Sequence, residues 1–263
     1  MIDLHCHILP NLDDGPGMML ESLSMARQAV ADGIHTIVAT PHALGGTYPN
    51  PPEKIAREVD LFKDTLQKEK IRLSIFPGCE VHNCLNLADR IMAGEATFLN
   101  PDKKHILVEF PFEGVSKEYI HELTKLVDYG VTPILGHPER NKKTLQHPEL
   151  LYDLITMGCL VQMNSTSING GFGPKILECS KKLLDCRMVH FLGSDAHSAG
   201  YRAPVLSLAV KNSAEVLEDP KEALKMVQDR PLKVLEGKTV DIPDPEKPRP
   251  SKWFKFFNPD NGR

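Results

Sequence analysis

Short apolar runs alternate with longer amphipathic stretches along most of the chain. Between the runs, apolar residues recur every three or four positions, as they do from Met19 to Val30, and Gly33 then ends the helix. The apolar runs have the length of buried strands and lie at 2–4, 34–40, 71–76, 105–110, 131–135, 159–163 and 188–192. The pattern therefore predicts about seven strands, each followed by a helix or a long loop.

Local signals support the helices of this alternation. Pro52 is well placed in the first turn of a helix, Ser116 is a candidate N-cap, and Gly158 is a stop signal. The predicted helices cover 19–30, 53–70, 117–130, 148–157 and 174–186, with one or two more over 203–229. Regular alternation of this kind implies a parallel sheet with helices on its outside, and seven or eight such units usually close into a barrel. An open doubly wound sheet is the alternative, although no G-x-G-x-x-G follows the first strand.

The character of the sequence changes after Val240. The stretch 242–251 is rich in proline, which predicts an extended segment. We therefore divide the chain into a barrel domain, 1–240, and a tail, 241–263. The aromatic residues from Trp253 to Phe257 are interleaved with Lys252 and Lys255, which suits either an ordered cap on the barrel or a contact with a membrane surface or a partner.

Composition excludes several classes of protein. With 263 residues, 41% apolar and 25% charged, the chain has ordinary globular composition, and a net charge of −4 gives no broad basis for binding nucleic acid. We see neither a secretory signal nor an apolar stretch long enough to span a membrane. The six cysteines are then expected to be reduced thiols in a cytoplasmic protein. Eleven histidines are the unusual number.

The positions of these histidines predict a site. His5 and His7 end the first strand two residues apart, so their side chains share one face. Carboxyl ends of strands are where a barrel builds its active site. Nine histidine or acidic residues fall at these ends: His5, His7, Asp14, His42, Glu80, Glu109, His137, Asp195 and His197.

Mixed nitrogen and carboxylate donors suit Zn, Mn or Fe(II), whereas calcium prefers oxygen alone. One ion takes three or four protein ligands, so nine converging residues imply two or three divalent ions. A single residue of this kind is more often a core histidine or a helix cap, but nine at the same end of consecutive strands favour a metal centre. No function is assigned to the other six histidines, His35, His82, His105, His121, His147 and His190.

Six short motifs surround these residues. They are His5-Cys6-His7, Asp13-Asp14-Gly15, Thr40-Pro41-His42, Gly78-Cys79-Glu80-Val81, Gly136-His137-Pro138-Glu139-Arg140 and Gly193-Ser194-Asp195-Ala196-His197. In combination they resemble the polymerase and histidinol phosphatase (PHP) superfamily. The opening sixteen residues are more specific and resemble the bacterial PHP-type protein-tyrosine phosphatases of capsule and exopolysaccharide synthesis, the CpsB/YwqE group. The resemblance runs from Met1 to about residue 235.

The resemblance implies a distorted (β/α)7 TIM-like barrel with a trinuclear metal centre, with Mn as the first choice of metal and Fe or Zn as alternatives. It suggests His5, His7, Glu80 and Asp195 around one ion. Glu80 would bridge to a second ion, held also by Glu109 and His137, while Asp14, His42 and His197 would hold the third. Some superfamily members carry histidine where Asp14 and Glu109 stand. Which carboxylate bridges which pair of ions is left open.

Phosphate ester hydrolysis explains why such a centre is needed. Clustered ions neutralise the charge of the transferring phosphoryl group and supply hydroxide at neutral pH, so we expect direct attack without a phosphoenzyme. Arg140 and Arg202 follow two of the motifs, and each is a candidate to bind phosphate oxygens with two parallel hydrogen bonds. The alternative is that either arginine pairs with a loop carboxylate. Asp14 is a candidate acid or base as well as a ligand.

Two other features of the sequence have more than one interpretation. Cys84 and Arg90 match the Cys-x5-Arg spacing of classical tyrosine phosphatases, but the residues between them are helix formers without the glycines of a phosphate loop. The loop 169–173 has three glycines, so it either shapes substrate access or is an ordinary turn.

The sequence therefore predicts a metal-dependent phosphotyrosine-protein phosphatase. Its expected partner is a phosphotyrosine-containing protein, the C-terminal tail of a bacterial tyrosine kinase, in the regulation of capsular or exopolysaccharide synthesis. One alternative is a PHP phosphatase for a small phosphoester such as histidinol phosphate. Another is a non-catalytic module that binds phosphotyrosine.

Overall fold

The computed structural model describes residues 1–111 and 114–248, and over these ranges the backbone alternates between strands and helices. The strands are β1 Ile2–Cys6, β2 Thr36–Ala39, β3 Ser74–Pro77, β4 Glu80–His82, β5 His105–Glu109, β6 Thr132–Gly136, β7 Leu160–Asn164 and β8 Phe191–Gly193. The helices are α1 Met19–Ala31, α2 Pro52–Lys68, α3 Leu87–Met92, α4 Lys117–Asp128, α5 Lys142–Gln146, α6 Glu149–Met157, α7 Ser165–Ile168, α8 Pro174–Asp185, α9 Ser207–Leu217, α10 Pro220–Lys225 and α11 Asp229–Leu235. A 3-10 turn covers Pro138–Arg140.

All neighbouring strands are parallel, in the orders β1-β2-β3 and β4-β5-β6-β7-β8. At one junction, the amide of Gly78 donates to Ala39 O at 3.0 Å, so the chain between β3 and β4 continues beside β2. At the other junction, the amide of Asp195 donates to His5 O at 2.8 Å and that of His7 to Ala196 O at 2.9 Å. These bonds close the strands into a ring, and the predicted barrel of parallel strands is confirmed.

The structure corrects the third predicted strand. The sequence predicted one strand at 71–76 with Glu80 in the loop after it, whereas Glu80 begins a second strand, β4, with no helix between. Pro77 cannot donate a ladder hydrogen bond, and a Cβ on Gly78 would lie 2.6 Å from Val38 Cγ1. The strand is therefore interrupted where Gly78 packs against the Val38 side chain of β2, and β3 and β4 together fill one of the seven places in the ring.

The barrel interior is apolar at its amino-terminal end. This inner cluster consists of Ile2, Leu4, Val38, Leu99, Leu107, Ile134, Leu160, Phe191, Val234 and Val240. A larger apolar cluster lies between the strands and the surrounding helices. Because the lower part of the barrel is filled with aliphatic side chains, only its carboxyl end offers room for polar chemistry.

An irregularity in β1 turns the first two histidines into the site. Leu4 belongs to the inner cluster, and strict alternation would then place His5 on the other face. The register between β1 and β2 shifts between Asp3 and Cys6. Such irregularities re-aim side chains beside active sites, and this one brings His5 into the barrel directly above Leu4.

The chain after α11 packs beneath the barrel as far as it is described. Val240 is buried, and the Arg230 side chain donates to Asp241 O at 3.1 Å. The boundary at residue 240 stays a prediction, and the aromatic stretch Trp253 to Phe257 lies outside the described residues. Among the described helices, none is long and apolar enough to cross a bilayer, and a cytoplasmic location also stays a prediction.

Candidate metal centre

The carboxyl end of the barrel brings the nine predicted ligand residues together. Three groups place their nitrogen or oxygen atoms within 4.8 Å of one another: His5, His7, Glu80 and Asp195; His7, Asp14, His42 and His197; and His42, Glu80 and Glu109. The last group places His42, rather than His137, with Glu80 and Glu109. His137 Nε2 nevertheless lies 3.1 Å from Glu80 Oε1 and 3.6 Å from Glu109 Oε1.

The Glu80 carboxylate lies at the middle of the cluster. Its Oε2 atom is 3.3 Å from the Nε2 atoms of both His5 and His7 and 3.2 Å from His42 Nδ1. This oxygen is buried and has no hydrogen-bond partner among the described residues. A buried anionic oxygen without a partner is costly in a protein, which points to a cation that it would bind.

The spacing of the donor atoms fits metal binding. His5 Nε2 and His7 Nε2 are 3.2 Å apart, and both are 3.3 Å from Glu80 Oε2. Ligand atoms about 2.1 Å from one tetrahedral ion would be about 3.4 Å from each other. These residues therefore fit a divalent ion in both donor chemistry and separation.

The two ring nitrogens of His5, and likewise those of His7, make different contacts. His7 Nδ1 donates to Asp13 Oδ2 at 2.7 Å. His5 Nδ1 donates to Gln162 Oε1 at 2.7 Å, since the Gln162 amide group donates instead to Met163 O at 2.7 Å. Both contacts leave the Nε2 lone pairs directed into the cluster, which is the usual orientation of metal-binding histidines.

Sequence reasoning assigned no site role to several of these supporting residues. Asp13 was visible within the Asp13-Asp14-Gly15 motif, but Gln162 had no motif around it. Gly193 gives an indirect signal, because a Cβ there would lie 2.6 Å from Gln162 Nε2. His82, to which the sequence assigns no function, also contacts a predicted ligand: its Nδ1 lies 3.2 Å from Glu109 Oε2.

The Asp195 carboxylate divides its contacts between two sets of groups. Its Oδ1 lies 3.3 Å from His5 Nε2 and 3.5 Å from His7 Nε2. Its Oδ2 accepts from Asn164 Nδ2 at 2.6 Å. The same oxygen is 2.9 Å from Arg140 and 2.5 Å from Arg202. The predicted phosphate-binding arginines thus converge beside the cluster, and here both contact this carboxylate.

The histidines and carboxylates perturb one another's pKa. Burial alone would raise the pKa of Glu80 and Asp195, but His5 and the neighbouring imidazoles hold both well below the usual range. Burial opposes protonation of His137, yet the Glu80 hydrogen bond and nearby carboxylates raise its pKa to about 9. Protons and divalent ions compete for such nitrogens, so metal binding here is expected to release protons.

Asp14 lies at the open side of the cluster. Its side chain is 48% exposed, and Oδ1 is 3.3 Å from His197 Nε2 and 3.5 Å from His42 Nε2. The hydrogen bond from His197 holds the pKa of Asp14 below its ordinary value. A carboxylate that is charged at neutral pH is suited to be a ligand or a base and is a poor proton donor.

The surroundings of Cys84 and Arg90, the residues of the classical Cys-x5-Arg spacing, do not resemble a phosphate loop. Arg90 lies on the short helix α3 and donates to Glu95 Oε2 at 2.7 and 2.9 Å. Burial raises the pKa of the Cys84 thiol, which disfavours the thiolate that a nucleophile requires. A thiol-based phosphatase needs an arginine available for phosphate and a cysteine with a lowered pKa, so these two observations argue against that mechanism.

Asp13→Asn should weaken the centre without removing a ligand. Asp13 Oδ2 accepts from His7 Nδ1, and it also accepts from the His42 amide at 2.8 Å. We expect metal affinity and activity to fall by about 10- to 100-fold, as is typical when an orienting partner is lost. Metal titration measures this. The matched control is Asp32→Asn, because Asp32 also accepts from backbone amides, at Leu206 and Ser207, away from the centre. Equal metal affinity in the two variants would exclude the role of Asp13.

Comparisons with known proteins agree with this geometry. Tyrosine-protein phosphatase YwqE of Bacillus subtilis is 36% identical over 259 residues, covering 98% of this chain and all of that protein. CpsB of Streptococcus agalactiae serotype III, also named a tyrosine-protein phosphatase, is 31% identical over 216 residues and covers 80% of this chain and 88% of its own length.

Solved structures give the same result. One from the work on YwqE of B. subtilis and CpsB of Streptococcus pneumoniae, described as unique metal-dependent tyrosine phosphatases, has a TM-score of 0.90 at 34% identity over 95% of this chain and all of that one. A histidinol phosphate phosphatase of Lactococcus lactis has a TM-score of 0.54 at 15% identity over 83% of this chain and 94% of its own, and shares the fold. The family model for capsular polysaccharide synthesis, CpsB/CapC, matches residues 1–236. The predicted relationship is thus confirmed, and the chain belongs to the CpsB/CapC family.

Proposed function

We propose that this protein is a metal-dependent phosphotyrosine-protein phosphatase that regulates capsular or exopolysaccharide synthesis. The observation that carries the proposal is the cluster around Glu80, in which imidazoles and carboxylates with metal-ligand spacing adjoin two arginines. Such a site unites divalent ions with cations that recognise phosphate. The names of the relatives supply the substrate class, an aryl phosphate on a protein.

The centre would hold two or three divalent ions, with Mn as the first choice and Fe or Zn as alternatives. We assign His5, His7, Glu80 and Asp195 to one ion, Glu80, Glu109 and His137 to a second, and Asp14, His42 and His197 to a third. His42 contacts both Glu80 and Asp14, with Nδ1 3.2 Å from Glu80 Oε2 and Nε2 3.5 Å from Asp14 Oδ1, which supports a ligand role for His42 beside the Glu80 bridge. Bound ions would neutralise phosphoryl charge and activate water at neutral pH.

The chain's own residues bind and orient the substrate. Arg140 and Arg202, which lie beside Asp195, would donate to the phosphate oxygens, each with two parallel N–H groups. Asp14, charged and half-exposed, would hold its ligand position, and its carboxylate would accept the proton that the attacking water loses. The tyrosinate that leaves needs little assistance, because its conjugate acid has a pKa of about 10. We place the substrate tyrosine on the C-terminal tail of a bacterial tyrosine kinase.

The test compares two substrates under controlled metal content. The protein is stripped with chelator, reloaded with Mn²⁺, Fe²⁺ or Zn²⁺, and assayed on a phosphotyrosine peptide and on histidinol phosphate. We expect rapid turnover of the peptide, loss of activity with chelator, and full activity in the control variant Cys84→Ser. Preference for histidinol phosphate would replace the proposal with a small-molecule phosphatase. Binding of the peptide without turnover of either substrate would identify a non-catalytic module.

A further inference from the structure

The loop at 169–173, between α7 and α8, has little conformational freedom. Gly170 and Gly173 have φ values of 82° and 92°, a region that favours glycine. A Cβ on Gly171 would lie 2.6 Å from Thr166 Cγ2, and the Gly171 amide donates to Thr166 O at 2.9 Å. The three glycines thus fold the loop tightly onto α7, and the one large side chain between them, Phe172, is presented in a defined place.

The Phe172 ring lies against the guanidinium of Arg140. The guanidinium carbon is 4.6 Å from the ring centroid, within the range of a cation–π contact. The same guanidinium donates through Nη1 to Asp195 Oδ2 at 2.9 Å. An arginine held by both a ring face and a carboxylate has less rotational freedom to lose when phosphate binds.

A second contact joins this loop to the loop that carries Arg202. Tyr201 is 74% exposed, yet its hydroxyl donates to Gly171 O at 2.7 Å. The next residue, Arg202, lies 2.5 Å from Asp195 Oδ2. The Tyr201–Gly171 hydrogen bond therefore joins the loops after β7 and β8 beside the two arginines. Its acceptor, Gly171 O, belongs to the residue directly before Phe172.

We propose that Phe172 is a positioning residue for Arg140 and that the Tyr201–Gly171 hydrogen bond keeps Phe172 in place. This inference rests on the proposed function, because it assigns Arg140 to phosphate. A cation that is already held in place loses less freedom on binding than a mobile one. This clamp, formed by the Phe172 ring and the Tyr201–Gly171 hydrogen bond, therefore increases the affinity of the site for the phosphoryl group. The clamp acts on the arginines and leaves the metal ligands unaffected.

Removing the ring tests the first half of the inference. Phe172→Leu should raise the Kd for inorganic phosphate and the KM for the phosphotyrosine peptide by roughly three- to tenfold, with unchanged metal content. Phe172→Tyr should restore values near those of the parent, because it keeps the ring face. In an Arg140→Ala background, Phe172→Leu should have no further effect. An equal effect with and without Arg140 would overturn the proposal and indicate a general packing defect.

Removing the hydroxyl tests the second half. Tyr201→Phe should speed amide hydrogen exchange in 169–173 and raise the phosphate Kd by roughly twofold to fivefold, the effect of one lost hydrogen bond. The matched control is Tyr129→Phe, because the exposed Tyr129, directly after α4, also donates one hydroxyl hydrogen bond, to Asp89 of α3 at 3.0 Å. Identical exchange and phosphate affinity in the two variants would overturn the clamp.

Phosphate binding and hydrogen exchange also separate this inference from the proposed function. If the parent protein does not hydrolyse phosphotyrosine, the proposed function fails, while calorimetric titration with inorganic phosphate still decides whether Phe172 acts through Arg140. If the parent is active and every clamp variant behaves like Tyr129→Phe, the inference alone fails.

Discussion

Glu80→Gln should lower kcat/KM on phosphotyrosine by about a thousandfold or more and reduce the bound metal to one ion or none, because it removes the central negative charge of the centre. The Glu80 carboxylate is only 1% exposed, and its oxygens lie 3.1 to 3.3 Å from four imidazoles, those of His5, His7, His42 and His137. An amide keeps the shape of the side chain but offers a single neutral oxygen. Elemental analysis of metal per chain and steady-state kinetics measure the two effects.

Glu122→Gln is the matched control for this substitution. Glu122 is also buried, and it accepts a hydrogen bond from the Ala88 amide at 2.9 Å on the outer side of the barrel. We expect it to keep metal content and activity close to those of the parent. Full metal occupancy together with normal turnover in Glu80→Gln would contradict the assignment of Glu80 as a bridge between ions.

The second large effect is expected for Arg140→Ala, which should lower kcat/KM by about 100- to 1000-fold. The guanidinium lies beside Asp195 at the edge of the metal cluster, where a phosphoryl group bound to that cluster would meet it. Phosphoryl transfer spreads negative charge over the equatorial oxygens, and a fixed cation stabilises that charge. Arg140→Lys should restore only part of the activity, since an ammonium cannot donate two parallel bonds.

Metal analysis is needed alongside these kinetics, because Arg140 also contacts a candidate ligand. We expect the metal content of Arg140→Ala to match that of the parent, since Asp195 Oδ2 keeps its contacts with Asn164 and Arg202. Arg27→Ala is the control: Arg27 pairs with Glu69 at 2.7 Å on the exposed surface. Full activity of Arg140→Ala with its metal bound would exclude a role in phosphate binding and indicate a structural role beside Asp195.

Much of the fold and of the site could be predicted because their signals are periodic. Apolar runs bounded by glycine and proline located most strands to within a few residues, and spacing by two placed His5 with His7 and Asp195 with His197. The elements that the pattern does not predict are short. The strand β4 has three residues, and the helices α5 and α7 have five and four, which is too short for any periodicity to appear. The break before Glu80 depends on how closely Gly78 approaches β2, which is a property of the assembled sheet.

The supporting residues of the site were harder to predict than its ligands. Gln162 lies on a buried strand, and nothing in its neighbours distinguishes a glutamine that orients His5 from a core amide. Its role depends on Gly193, on another strand, which leaves room for its side chain. Likewise, the contact between Arg140 and Phe172 joins loops after two different strands. Interactions of this kind have no sequence spacing and become visible only in three dimensions.

The hydrogen bonds that close the barrel between β1 and the residues after β8 also determine when the centre can exist. His5 and His7 come from the first strand, whereas Asp195 and His197 follow the last. During synthesis, the first seven strands emerge with only part of the ligand set, because Asp195 and His197 lie nearly two hundred residues after His5. The full ligand set is therefore assembled only when the residues after β8 have joined β1. A metal centre built from it would be complete only in the closed barrel.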